Sequence, residues 1–110
     1  MSAAIYNIDI EQGSDYETTL VVSGQDLVNF SARGQIRTTP TDPKILGEFS
    51  FSIASPTSQG GTITMTLPNY ESDKIPAGNY VYDVEVFNST SRKVKRLIKG
   101  TVRVDSGVTR

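Results

Sequence analysis

Apolar and polar residues alternate in seven short runs along this chain, with turn residues between them. A period of two marks half-buried strands, because successive side chains leave opposite faces of the pleat. The runs fall at about 4–10, 16–22, 30–37, 47–53, 62–67, 79–87 and 93–104. In the second, Tyr16, Thr18, Leu20 and Val22 share a face; in the third, Ala32, Gly34 and Ile36 do. In the fourth, Phe49, Phe51 and Ile53 face one way, and in the fifth Ile63, Met65 and Leu67 oppose threonines. Leu27-Val28 reads as a loop plug over the core. Residues 38–43, with two prolines, and "SPTSQGG" at 55–61 read as loops. "NYESDKIPAG" (Asn69–Gly78) carries helical signals for at most one turn near 71–75, capped by Ser72 or Asn69 and ended by Pro76 and Gly78. Seven strands without a long helix or a repeat predict a single all-β domain over residues 1–110, an Ig-like antiparallel β-sandwich.

The clearest hairpin joins 79–87 to 93–104 across "NSTSR". A five-residue loop sets Phe87 opposite Lys93, and therefore Tyr82 opposite Ile98, Val84 opposite Arg96, Val86 opposite Val94 and Tyr80 over Gly100. On the outer face Glu85 then meets Lys95, a favourable cross-strand pair. Arg96 points inward in this register and must snorkel to water. A bulge near Lys95 instead turns Leu97 inward, and both registers stay open at the level of sequence. Either way Tyr80 and Tyr82 read as core, with Tyr80 where Ig-like sandwiches place a corner tyrosine at the start of the penultimate strand.

Composition narrows the chemistry. The 110 residues contain neither Cys nor His, which removes disulfides, thiolate nucleophiles, Ser-His-Asp triads and the usual zinc ligand sets. No enzyme activity and no cofactor are expected. No run of 18 apolar residues offers a membrane span, and the N-terminal residues show no secretory signal. The net charge of −1 conceals an uneven distribution. Asp9, Glu11, Asp15, Glu17 and Asp26 crowd the first 30 residues without a Lys or Arg, whereas Lys93, Lys95, Lys99 and Arg103 stand in a basic C-terminal stretch.

Three constellations invite a sharper reading. Asp9, Glu11 and Asp15 lie close together in "DIEQGSD" but lack the spacing of a calcium loop. Asp83 and Glu85 share a strand face at a separation of roughly 7 Å, within the glycosidase range, without a visible sugar-binding groove of aromatics. The basic hairpin has charge for phosphates but only Phe87 nearby to stack a base, so no nucleic acid is expected. Each reads first as a solvated strand face.

"YNIDIEQGSDYETTLVV" at Tyr6–Val22, "PAGNYVYDVEV" at Pro76–Val86, "VKRLIKGTVRV" at Val94–Val104 and the closing "VTR" together resemble small tailed-bacteriophage virion proteins. They are similar to the N-terminal immunoglobulin-like domain of phage upper baseplate proteins. The resemblance implies a tail or baseplate role in the virion, or a fibre-attachment subunit, and supplies no catalytic residues. The upper baseplate proteins continue into a receptor-binding region, which this sequence does not contain. Two other expectations stand beside it, a capsid decoration protein and a carbohydrate-binding module for the host surface. The expected partners are other virion proteins and further copies of the chain. The first and last strands of an Ig-like sandwich lie near sheet edges. The acidic flank (Asp9, Glu11, Asp15, Glu17) and the basic flank (Lys93, Lys95, Lys99, Arg103) are therefore expected at subunit interfaces in head-to-tail contact.

Overall fold

A run of alternating residues forms a strand only if its apolar side finds a second layer to cover it. The computed structural model, which describes residues 4–88 and 90–106, shows two such layers. The larger sheet contains β1 (Ala4–Ile5), β2 (Ile8–Glu11), β4 (Ser31–Arg37), β5 (Gly47–Glu48), β8 (Gly78–Asn88) and β9 (Lys93–Asp105). Its strands run in the order β1-β9-β8-β4-β5, with β2 also on β9. The smaller sheet is β3 (Tyr16–Ser23), β7 (Gly60–Leu67) and β6 (Ser50–Thr57), in the order β3-β7-β6. The first strands pair parallel with the last, and every other pairing is antiparallel. This is the Ig-like sandwich expected, although its first strand pairs parallel rather than antiparallel and two of the seven predicted strands are each divided.

The first strand breaks at Tyr6-Asn7, where two side-chain and backbone bonds replace the ladder. Tyr6 N donates to Lys99 O (3.0 Å), and Thr101 N donates to the Asn7 side-chain oxygen (3.0 Å). The fourth strand breaks at Phe49, where the chain leaves the large sheet as β5 and enters the small one as β6. The "SPTSQGG" loop is a correction: β6 and β7 pair through it, with Thr57 opposite Gly60. Ser55 there adopts a left-handed φ of 51°, and the register shifts between Ala54 and Thr57. The helical turn is α1 (Asn69–Ser72), slightly earlier than expected. Neither Ser72 nor Asn69 caps it. Pro68 occupies that position, and Asp15 Oδ1 accepts from Asn69 N at 2.7 Å.

The hairpin register differs from the expected one by a two-residue slip, built in two stages. Asn88 pairs with Lys93 and Phe87 with Val94, and a bulge then falls between Arg96 and Ile98. The bulge alternative is the one realised. Leu97 turns inward against Leu27, Ile63 and Val86, while Arg96 stays out. Tyr82 therefore lies opposite Gly100, and Tyr80 opposite Val102. Glu85 meets Arg96 across the ladder rather than Lys95, and its carboxylate pairs with Arg33 on β4 at 3.0 Å.

The core holds Ile8, Ile10, Ile36, Met65, Leu67 and Val84, with Phe49 packed edge-on to Tyr82 at 5.8 Å. Leu27 is fully buried, as the plug reading expected, whereas Val28 is exposed. Tyr80 is half-buried, and its hydroxyl donates to Pro76 O at 2.5 Å, four residues upstream, which is the bond of a tyrosine corner. The partial exposure lowers the 3–5 kcal/mol that truncating a fully buried ring costs. We expect Tyr80→Phe, which removes only that bond, to cost about 1 kcal/mol in urea unfolding. A variant as stable as the parent would mean that water serves Pro76 equally well.

Candidate functional site

Three tyrosines gather where the first strand breaks. Tyr82 is 4% exposed and its hydroxyl donates to Tyr6 O at 2.5 Å. Tyr16 lies beside it on β3, within electrostatic reach of Tyr6. Burial pushes the Tyr16 hydroxyl up to about 12, with the neighbouring Tyr6 adding to the effect. Burial raises Tyr82 further, reinforced by Tyr16 and Tyr6. Both hydroxyls thus hold their protons more tightly than free tyrosine does. A proton-transfer residue working near neutral pH needs the opposite shift. Tyr82 is core, as expected, and its bond to Tyr6 anchors the N-terminal strand, which the sequence did not indicate.

Gly100 explains why that anchor forms. A Cβ built on it would stand 2.2 Å from Tyr6 O and 2.9 Å from the Asn7 side-chain oxygen. The bare glycine leaves room for the Tyr6 backbone to cross the inner face of β9, and Tyr82 satisfies the carbonyl that this crossing buries. Ser72 performs a similar task at the far end. It is fully buried; its hydroxyl donates to Ser14 O at 2.8 Å and accepts from Gly13 N at 3.1 Å, which pins α1 to the β2–β3 turn. Sequence reading missed this, because a serine among turn residues carries no signal of a partner 58 residues away.

The outer face of the large sheet holds a concavity of about 430 Å³, lined by Ile5, Val81, Gln35, Arg37, Asp83, Arg96 and Lys99 among others. Arg37 donates to Asp42 O and to the Gln35 side-chain oxygen, both at 2.7 Å. Asp83 is held by Arg96 at 3.1 Å, and Glu85 by Arg33. The two carboxylates weighed as a glycosidase pair are thus each tied to an arginine. Among the described residues no group of three or more His, Cys, Asp or Glu could hold a metal ion. No described helix is long and apolar enough to cross a membrane.

The expected interface residues are placed unevenly. Asp9 lies opposite Arg103, and Glu11 opposite Asp105, within one molecule, because β2 covers that part of β9. The last strand is therefore not an edge there, which corrects one premise of the head-to-tail expectation. Lys99 pairs with Ile5 of β1, whereas Lys93 and Lys95 lie beyond it, on a stretch of β9 that only β8 covers among the described residues. Arg103 bonds Asp105 at 3.1 Å, and Asp15 is committed to Asn69. Glu17 is exposed on β3. Charge is nonetheless divided between the two ends of the strands. Glu11, Asp15, Glu17, Glu71, Asp73 and Asp105 stand at the α1 end, against Lys74 and Arg103; Arg33, Arg92, Lys93, Lys95 and Arg96 stand towards the hairpin tip, against Asp26, Asp83 and Glu85.

No known family profile matches the chain, and no curated protein does. Among solved structures it is similar to Listeria monocytogenes InlP, with 15% identity and a TM-score of 0.49. The similarity covers 91% of this chain and 26% of that one, so the chain spans about a quarter of the InlP length. A likeness of this degree carries no argument about activity or partner. What the fold and its surfaces define is an Ig-like sandwich with charge divided between its two ends.

Proposed function

We propose that the chain is a non-enzymatic structural subunit of a tailed-bacteriophage virion, a tail or baseplate component or fibre-attachment subunit that works through contacts between subunits. The observation that carries the assembly part is the charge segregation, acidic at the α1 end and basic at the hairpin tip. Such a distribution steers association and fixes orientation between partners. The phage assignment rests on the sequence stretches that resemble the upper baseplate domain. In this reading the sandwich itself is the working part, a rigid body that presents edges and end loops to neighbours. Mass spectrometry of separated tails and emptied heads tests it. The chain is expected in the tail fraction. Its recovery in the heads alone would favour capsid decoration, and its absence from purified particles would end the virion reading.

A further inference from the structure

Five strands end the two sheets among the described residues, and four of them are protected against pairing with another chain, β1 by its length of two residues. β5 has two residues; β2 has four and carries Asp9 and Glu11; β6 carries Pro56 and the left-handed Ser55. Short length, charge, proline and irregular backbone are the usual means of blunting an edge. β3 has none of them beyond a single charge. It pairs with β7 over all eight residues in unbroken register, and its other side meets no strand among the described residues. It contains one charge, Glu17, and its Val21 is 83% exposed.

We infer that β3 is a pairing edge, and that its occupant is β3 of a second copy of this chain, antiparallel across a two-fold axis near Leu20. Antiparallel neighbours oppose residues of the same face. With Leu20 on the axis, Thr19 lies beside Val21 of the second copy and Glu17 beside its Ser23. The two Glu17 carboxylates stay at opposite ends, so no like charges meet.

The second layer supplies an independent reason for this axis. The groove beside β3 is walled by Leu20–Gln25 on one side, and by Ala4–Tyr6 and Lys95–Ile98 on the other. Ile5, 72% exposed, stands on the wall that faces Leu20–Gln25. A two-fold there brings the Ile5 side chains of both copies together. It also sets acidic β2 of each copy (Asp9, Glu11) against the Lys93–Lys95 stretch of the other, which only β8 covers among the described residues. One axis thus covers the free edge, buries exposed Ile5 and Val21, and joins the acidic and basic flanks. Isologous contacts of this kind close at two subunits, unlike a head-to-tail ring.

The inference deepens the assembly reading and rests on it for its biological meaning. It is tested on the isolated full chain, so its failure leaves the particle location untouched. Sedimentation velocity should show a dimer that dissociates on dilution and weakens in high salt. Thr19→Lys with Val21→Lys, both on the exposed face, should yield a monomer whose melting temperature matches that of the diluted parent. Lys93→Glu with Lys95→Glu should weaken the dimer by about tenfold or more, and adding Asp9→Lys and Glu11→Lys should restore it. Because the chain has no cysteine, Thr19→Cys with Val21→Cys gives a second readout that tolerates a small register change. Oxidation should link two copies covalently. A parent that stays monomeric at its solubility limit, or a cysteine variant that fails to cross-link, overturns the inference. So does an oligomer that charge reversal disperses but the two edge lysines leave intact.

Discussion

Gly100→Ala should destabilise the domain by about 3 kcal/mol or more, far beyond what one added methyl group does on a surface strand. Overpacking a filled site costs typically about 1–3 kcal/mol, and more when the obstruction is backbone. Here the new Cβ would stand 2.2 Å from the Tyr6 carbonyl oxygen, which cannot rotate aside. The chain must lift from β9, and the Tyr82–Tyr6 bond is lost with it. Urea unfolding should show the drop. Protection of the Tyr6 amide against hydrogen exchange should fall further than that of core β8 amides. If Gly100→Ala unfolds like the parent, the Tyr6 crossing does not exist as described.

Tyr82 should be the costliest tyrosine to remove. Tyr82→Ala vacates a fully packed site against Phe49 and should lose about 3–5 kcal/mol. Tyr82→Phe leaves the Tyr6 carbonyl without its donor and should lose about 1–3 kcal/mol. The conservative variant also carries a pH signature. The folded state raises the Tyr82 and Tyr16 hydroxyls above the unfolded value of 10.0, so folding favours their protonated forms. That contribution is complete below pH 10 and is lost as pH rises from there through the folded-state values. Stability should therefore fall above pH 10, by up to about 1.4 kcal/mol per pH unit for each such group. The informative quantity is the difference between the parent and Tyr82→Phe, which isolates the Tyr82 hydroxyl. The variant should show the shallower decline. Parallel pH curves for the two proteins would mean that the Tyr82 hydroxyl is no more shielded in the fold than in the open chain.

Most of the sandwich was legible because period-two alternation survives events that sequence cannot display. The chain changes sheet at Phe49, yet Phe49, Phe51 and Ile53 keep one parity, since the inner faces of both sheets look onto the same core. The first strand breaks at Tyr6-Asn7 without losing register: Ala4 pairs with Ile98 and Ile8 with Val102, the same offset on either side. An aromatic opposite Gly100 was foreseen but placed on Tyr80. The bulge after Arg96 and the left-handed Arg92 in the turn moved the ladder, and neither position carries the glycine that usually advertises such geometry. Contacts formed by tertiary approach left no local trace. Asp15 reads as a solvated carboxylate until Asn69 arrives, and nothing around Asp9 signals that Arg103 of the same chain lies beside it.

The parallel pairing of β2 with β9 also determines how the domain answers mechanical load. Tension applied between Ala4 and Asp105 draws β2 and β9 past one another along their own axes. The four register positions from Ile8–Val102 to Glu11–Asp105 then strain together, rather than opening one after another as in a peeled hairpin. The Tyr82 hydroxyl and the Asn7 side chain add cross-ties at the upper end of that seam. Pulled from its ends, the sandwich yields by sliding, and the whole seam must fail before either sheet begins to unravel.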